Sequence, residues 1–293
     1  EKRCHRVCRG SPYRTAISTS PLGAKKSGAL IAFCGRLKIN YTGHCAPGLF
    51  LIHFFPIMNT QSSMVDQMFK AGAHFGFSRS RRHPSAKQFV FGMKNRVEII
   101  DLEKAADNLV KAMDIARELS SAGKQVLFVG TKPEARLHTM QAALSCGMPY
   151  VTERWIGGLF TNFHEIKKRV ARLEDLMGKR DKGELSVYTK KERLMFDREI
   201  ALLEKKFGGV VSLLELPKAL FTVDPRHEKT AIAEAIQMRI PIIALASTDC
   251  NVSNIEYPIP GNDSTSSSIL FFTTEIARAM QEGKAGDKKE QLT

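Results

Sequence analysis

From Val97 onward the chain alternates short apolar runs with longer stretches whose apolar positions step by three and four, while the first 57 residues show no helical or strand period. A short amphipathic helix over Met64 to Lys70 opens the patterned part, with Met64, Met68 and Phe69 on its buried side and Gly72 ending it. Strands are predicted over Val97 to Leu102, Gln125 to Val129 and Pro149 to Thr152, separated by helices over Glu103 to Ser121 and Pro133 to Cys146. The rhythm resumes with strands Ala219 to Val223, Pro241 to Ala246 and Ile255 to Ile259, and with helices Glu228 to Met238 and Ser264 to Glu282. Strands alternating with helices imply right-handed crossovers. The expected fold class is therefore α/β, a Rossmann-like, mostly parallel sheet flanked by helices.

Between the two halves of this rhythm the period changes. Phe163, Ile166, Val170, Leu173 and Met177 form one seam, and past a polar turn containing Gly183, Phe196, Ile200, Leu203 and Phe207 form another. Two helices with matching seams and a short connection predict an inserted antiparallel coiled-coil hairpin over residues 162–207. The α/β domain then comprises 58–161 and 208–283, with 284–293 as a polar tail. Gly157-Gly158 and Gly208-Gly209 read as tight turns where the hairpin leaves and rejoins the sheet. The hairpin's outer face carries Lys167, Lys168 and Arg169 among many bases, and protein or RNA contact and plain solvation both remain open for it.

Charge sharpens the division at residue 58. The chain of 293 residues carries a formal +14; nine bases against Glu1 give residues 1–57 a charge of +8, leaving +6 for the rest. This segment reads as a disordered leader or translated upstream region outside the folded protein, with an organellar transit peptide as the alternative. Cys4, His5 and Cys8 hint at a metal, but no second ligand pair completes a tetrahedral set, and the metal-free reading is preferred. The six cysteines form no disulfide framework, which fits a reducing compartment. Pro47 to Ile57, the longest apolar run, is too short to cross a bilayer, so a soluble protein is expected.

The strongest chemical signal is Ala73 to Arg96, which contains no acid. His74, Arg79, Arg81, Arg82, His83, Lys87, Lys94 and Arg96 are interleaved there with Phe75, Phe77, Phe89 and Phe91. Bases attract phosphate, and aromatic or guanidinium planes stack on unpaired bases, so RNA contact is expected for the cations. The phenylalanines are expected in the core. For catalysis the pattern is thin: Val129-Gly130-Thr131-Lys132 leads a strand into a helix, but no dinucleotide or P-loop glycine pattern is present. Asp224, with His227 and Glu228 close behind, is read as a cap with Pro225 in the first turn of the next helix. A nucleotide-dependent enzyme using Gly130 and Asp224 is the competing reading.

Several long stretches, in order, resemble the ribosomal protein S-two family of the small subunit in its bacterial form. They are Met68 to Gly76, Phe89 to Leu102, Val126 to Lys132, Arg154 to Asn162, Leu216 to Ile240 and Ile259 to Asp263. The resemblance spans Met64 to Gly283, and one departure is Phe77 where many members carry a second histidine. It implies a structural constituent without catalytic activity, cofactor or small-molecule substrate. The implied partners are small-subunit rRNA and other small-subunit ribosomal proteins, with ribosomal protein S-one a candidate, on a cytoplasmic ribosome, or alternatively an organellar one. In this picture the sheet is a rigid platform, the stretch Arg79 to Arg96 clamps rRNA phosphates, and Arg154 with Trp155 orients the junction to the hairpin, Trp155 as a core anchor.

Overall fold

The computed structural model describes residues 59–290. The leader assigned to 1–57, with its candidate ligands Cys4, His5 and Cys8, lies outside the described residues. Helix α1 (Asn59–Lys70) leads through Gly72, whose φ of +74° stops it, into a small antiparallel sheet of β1 (Phe75–Ser78), β2 (Val90–Lys94) and β3 (Val97–Ile100) in the order β1-β3-β2. This sheet corrects the expectation that Val97 begins the parallel array: β3 pairs antiparallel with both neighbours. Asn95 and Arg96 both have positive φ, as a two-residue hairpin turn matching the strand twist demands.

Asp101 ends β3 and caps α2 (Leu102–Ser121), its carboxylate accepting from the Glu103 and Lys104 amides. The main sheet follows: β4 (Val126–Val129), α3 (Pro133–Cys146), β5 (Tyr150–Val151), then α4 (Phe163–Asp181) and α5 (Lys190–Phe207), β6 (Ala219–Val223), α6 (Lys229–Gln237), β7 (Ile242–Ala246), β8 (Tyr257–Pro260) and α7 (Ser266–Glu290). Its five strands are parallel in the order β5-β4-β6-β7-β8. Numbered within the sheet this is 2-1-3-4-5, a doubly wound array whose order reverses between β4 and β6.

Strand alternation divides two cores. Val126, Phe128, Phe221, Ile243 and Leu245 face α2, α3 and α7, while Leu127, Val129, Leu220, Ile242 and Ala244 face α6 and the base of the two-helix insertion. Near-continuous apolar strands are what a parallel sheet covered on both faces requires. The insertion's helices run antiparallel: Arg172, nine residues before the end of α4, lies 3.4 Å from Glu199, nine residues into α5. Ile166, Leu173, Leu176, Ile200, Leu203 and Phe207 are buried between and beneath them. A capping box between Thr189 and Glu192 starts α5.

Candidate nucleic-acid interface

The basic stretch is not one surface. After β1 the chain makes a 3-10 turn over Arg79–Arg81 and a second over Pro84–Phe89, packed against the carboxyl end of β7. Thr248 holds this segment from both sides, its hydroxyl accepting from the Phe77 amide at 3.0 Å and its carbonyl from the His83 amide at 2.9 Å. Ser85 adds two ties to the β7–β8 loop, accepting from the Val252 amide at 3.1 Å and donating to the Asn251 side chain at 3.4 Å. Gly76 is obligatory beside this anchor, because a Cβ there would lie 2.7 Å from the Thr248 methyl.

Within the anchored turn the expected cations have different tasks. Arg79 and Arg81 are exposed and have no ion-pair partner among the described residues, and the Arg81 guanidinium lies 5.9 Å from the Phe77 ring centre. Arg82 is committed: it donates at 3.0 Å to Glu98 of β3, whose carboxylate is almost fully buried. His83 is also committed, its Nδ1 accepting from the Ser85 amide to start the second 3-10 turn. Lys87 is exposed on that turn.

His74 and Lys94 line a different cleft with Phe69, Phe75 and Phe91, and Arg96 sits at the neighbouring hairpin tip. The His74 ring stacks on Phe69 and lies tilted against Phe75, and burial lowers its pKa below the ordinary value, favouring the neutral imidazole. The expectation that the four phenylalanines are core residues fails for Phe75 and Phe91, which are 50% and 79% exposed. Both line the cleft that α1 borders through Val65 and Phe69.

A third group lies at the base of the insertion. Arg154 and Arg169 are exposed and line a groove with Lys206, whereas Lys168 is paired with Glu165 at 2.7 Å and Lys167 lies over the Phe163 ring. Among the described residues no hydrogen bond or ion pair ties Arg154 to the junction, whereas Trp155 is buried there and is held by Glu234 of α6, which the sequence reading missed. Its carboxylate accepts from Trp155 Nε1 at 3.1 Å, from the Gly158 amide at 2.9 Å and from the Phe160 amide at 3.0 Å, with Thr161 at the edge. Burial pushes the Glu234 carboxyl up, but these donors outweigh it and hold it below the usual range.

The switch point between β4 and β6 is where doubly wound sheets bind nucleotides. Here the chain fills it with its own charges. Glu228 puts its carboxylate on the Thr131 amide at 3.1 Å and on the Thr131 hydroxyl, at the start of α3 where a phosphate would sit. Gly130 is required by the helix, since a Cβ would strike Thr139. Asp224, at φ +61°, accepts from the Arg226 and His227 amides at 3.1 and 3.2 Å; it caps a turn, and α6 begins only at Lys229, a correction to the expected helix cap. Asp224, Cys250 and Asp263 bring ligand-type atoms within 4.8 Å of one another, but the Lys132 ammonium lies 3.3 Å from Asp224 and 3.4 Å from Asp263 and supplies the cation itself.

An α/β platform whose crevice is closed by internal ion pairs, and which turns an anchored basic segment outward, defines a structural scaffold rather than a nucleotide enzyme. The family described as Ribosomal protein S2 matches residues 68–283, and the chain belongs to that family. A relative from Endomicrobium trichonymphae, named small ribosomal subunit protein uS2, is 41% identical over 218 residues, covering 74% of this chain and 89% of its own length. Another of that name, from Sulfurimonas denitrificans, is 40% identical over 221 residues, covering 75% of this chain and 85% of its own. Membership makes the chain a structural, non-enzymatic ribosomal component.

Proposed function

We propose that the protein is a constituent of the small ribosomal subunit that binds its rRNA through the anchored turn and supports subunit assembly and translation on cytoplasmic ribosomes. The observation that carries this is the turn itself: Arg79 and Arg81 have no ion-pair partner among the described residues, and the backbone on either side of them is tied to the β7 end through Phe77, His83 and Ser85. A backbone held in place leaves only side-chain entropy to be lost when these cations meet a phosphate, which suits them to positioning contacts. The α4–α5 insertion is read as a coiled-coil arm, with Arg154 and Arg169 at its base as a second rRNA contact. Phe69, Phe75 and Phe91 offer an apolar face to a neighbouring ribosomal protein, with ribosomal protein S-one as the candidate.

Titration of small-subunit rRNA against wild type and Arg79→Ala/Arg81→Ala, repeated across salt concentrations, tests the reading. Each lost phosphate contact flattens the log–log salt slope by about 0.7 to 0.9. A slope shared by both proteins, or no rRNA binding by wild type, overturns it.

A further inference from the structure

We propose that the cleft between the basic turn and α6 is a binding site for an unpaired RNA segment, and that Lys229 and Arg226 belong to it. The proposal rests on the rRNA reading above and assigns a site that the basic stretch alone does not reveal.

The cleft, of about 710 Å³, is lined from the first side by Arg81 and Arg82 and from the second by Arg226 and Lys229, which follow them by more than 140 residues. Asp249 is its one acidic lining residue among the described residues, and it is spent on Arg226 at 2.6 Å. Arg82 is balanced by Glu98, so Arg81 and Lys229, which have no ion-pair partner among the described residues, leave the cleft with two uncompensated positive charges. A guanidinium has five N–H donors, so Arg226 keeps donors free even while paired.

The rest of the lining decides what kind of anion fits. Pro84, Ile232 and Ile236 are apolar, with Ile236 well exposed, and Asn251 and Asn254 offer side-chain amides. Cations for a backbone, apolar surface for a base face and amides for a base edge are the three requirements of single-strand recognition. A cleft of this size encloses a ligand of drug dimensions, about one or two nucleotides, rather than a helix. An acidic peptide would use the charges but would leave the apolar and amide lining without a role.

The test uses the full chain and compares four probes by fluorescence anisotropy: small-subunit rRNA, a short single-stranded oligoribonucleotide, its duplex, and a polyglutamate peptide. The single strand is expected to bind more tightly than the duplex or the peptide. Lys229→Ala breaks no ion pair; it should weaken the single strand about two- to fivefold and flatten its salt slope by about 0.7. Lys229→Glu should weaken it further, with unchanged thermal melting in both variants. Equal binding of duplex or peptide, or wild-type affinity and slope in both Lys229 variants, overturns the proposal. If Arg79→Ala/Arg81→Ala still weakens rRNA binding while the Lys229 variants do not, the cleft assignment fails and the rRNA reading stands; if wild type binds no rRNA, both fail.

Discussion

Glu234 fastens the segment leading into the insertion to the second face of the sheet. Five donors converge on it: the Trp155 indole, the backbone amides of Gly158, Phe160 and Thr161, and the Thr161 hydroxyl. A hydrogen bond to a charged acceptor contributes about 1.5 to 3 kcal/mol, and a neutral acceptor gives about half as much. Glu234→Gln keeps the volume but offers one carbonyl and turns an NH2 group toward backbone amides that also donate. It is therefore expected to lower unfolding free energy by about 3 kcal/mol, while Trp155→Phe, which removes one donor, costs about 2 kcal/mol. Urea unfolding read by tryptophan fluorescence for Glu234→Gln, and by circular dichroism for both variants, measures these losses. The pH dependence provides an internal control. Because the folded carboxyl is held below its ordinary value of 4.5, its contribution is complete above about pH 4.5 and is lost as pH falls through the lowered folded pKa. The gap between wild type and Glu234→Gln should therefore close under acid. A Glu234→Gln variant within about 0.5 kcal/mol of wild type at pH 7 would refute the reasoning.

Arg81 and Arg82 should separate cleanly. Arg82→Ala strands the buried Glu98 carboxylate and should cost about 1 to 2 kcal/mol in denaturant unfolding, discounted because Arg82 is partly solvated; Arg81→Ala should leave stability within about 0.5 kcal/mol. Burial and the facing Asp224 push the Asp263 carboxyl up to about 7 despite Lys132. The folded state thus holds that proton more tightly than the unfolded chain, so stability should fall as pH rises from about 4 through 7, and Asp263→Asn should flatten melting temperature over that window. A nucleotide screen by thermal shift should give no response, since a ligand at 100 times its dissociation constant would add about 2.7 kcal/mol; a reproducible shift would mean that Glu228 yields its place to phosphate.

The elements that the sequence placed best are those whose signals are local. Helix α3 runs from Pro133 to Cys146 as expected, Pro at its first position and Gly147 in the left-handed conformation past its end, and β6 coincides with its apolar run. Strands β1 and β2 were missed because Gly76 and Gly92 interrupt short segments whose pairing is set by distant β3. Helix α7 was expected to stop before Gly283. It continues to Glu290, and Gly283 is a packing glycine within it, where a Cβ would meet the Arg117 carbonyl of α2 at 2.5 Å. The site was legible as composition and not as geometry. Absence of acid marks the basic stretch in the sequence, but the partner that occupies Arg82 comes from β3, His74 faces another cleft, and Lys229 joins the turn only through the sheet's crossover. Glu234 looked like one more charge on a helix, since its donors are mostly backbone amides that leave no mark in side-chain chemistry.

Co-sedimentation of the tagged full chain with ribosomal subunits through a sucrose gradient tests the central claim most directly. The account predicts recovery in the small-subunit peak, weakened with rising salt and reduced for Arg79→Ala/Arg81→Ala; protein that stays free at the top of the gradient at low salt would contradict it.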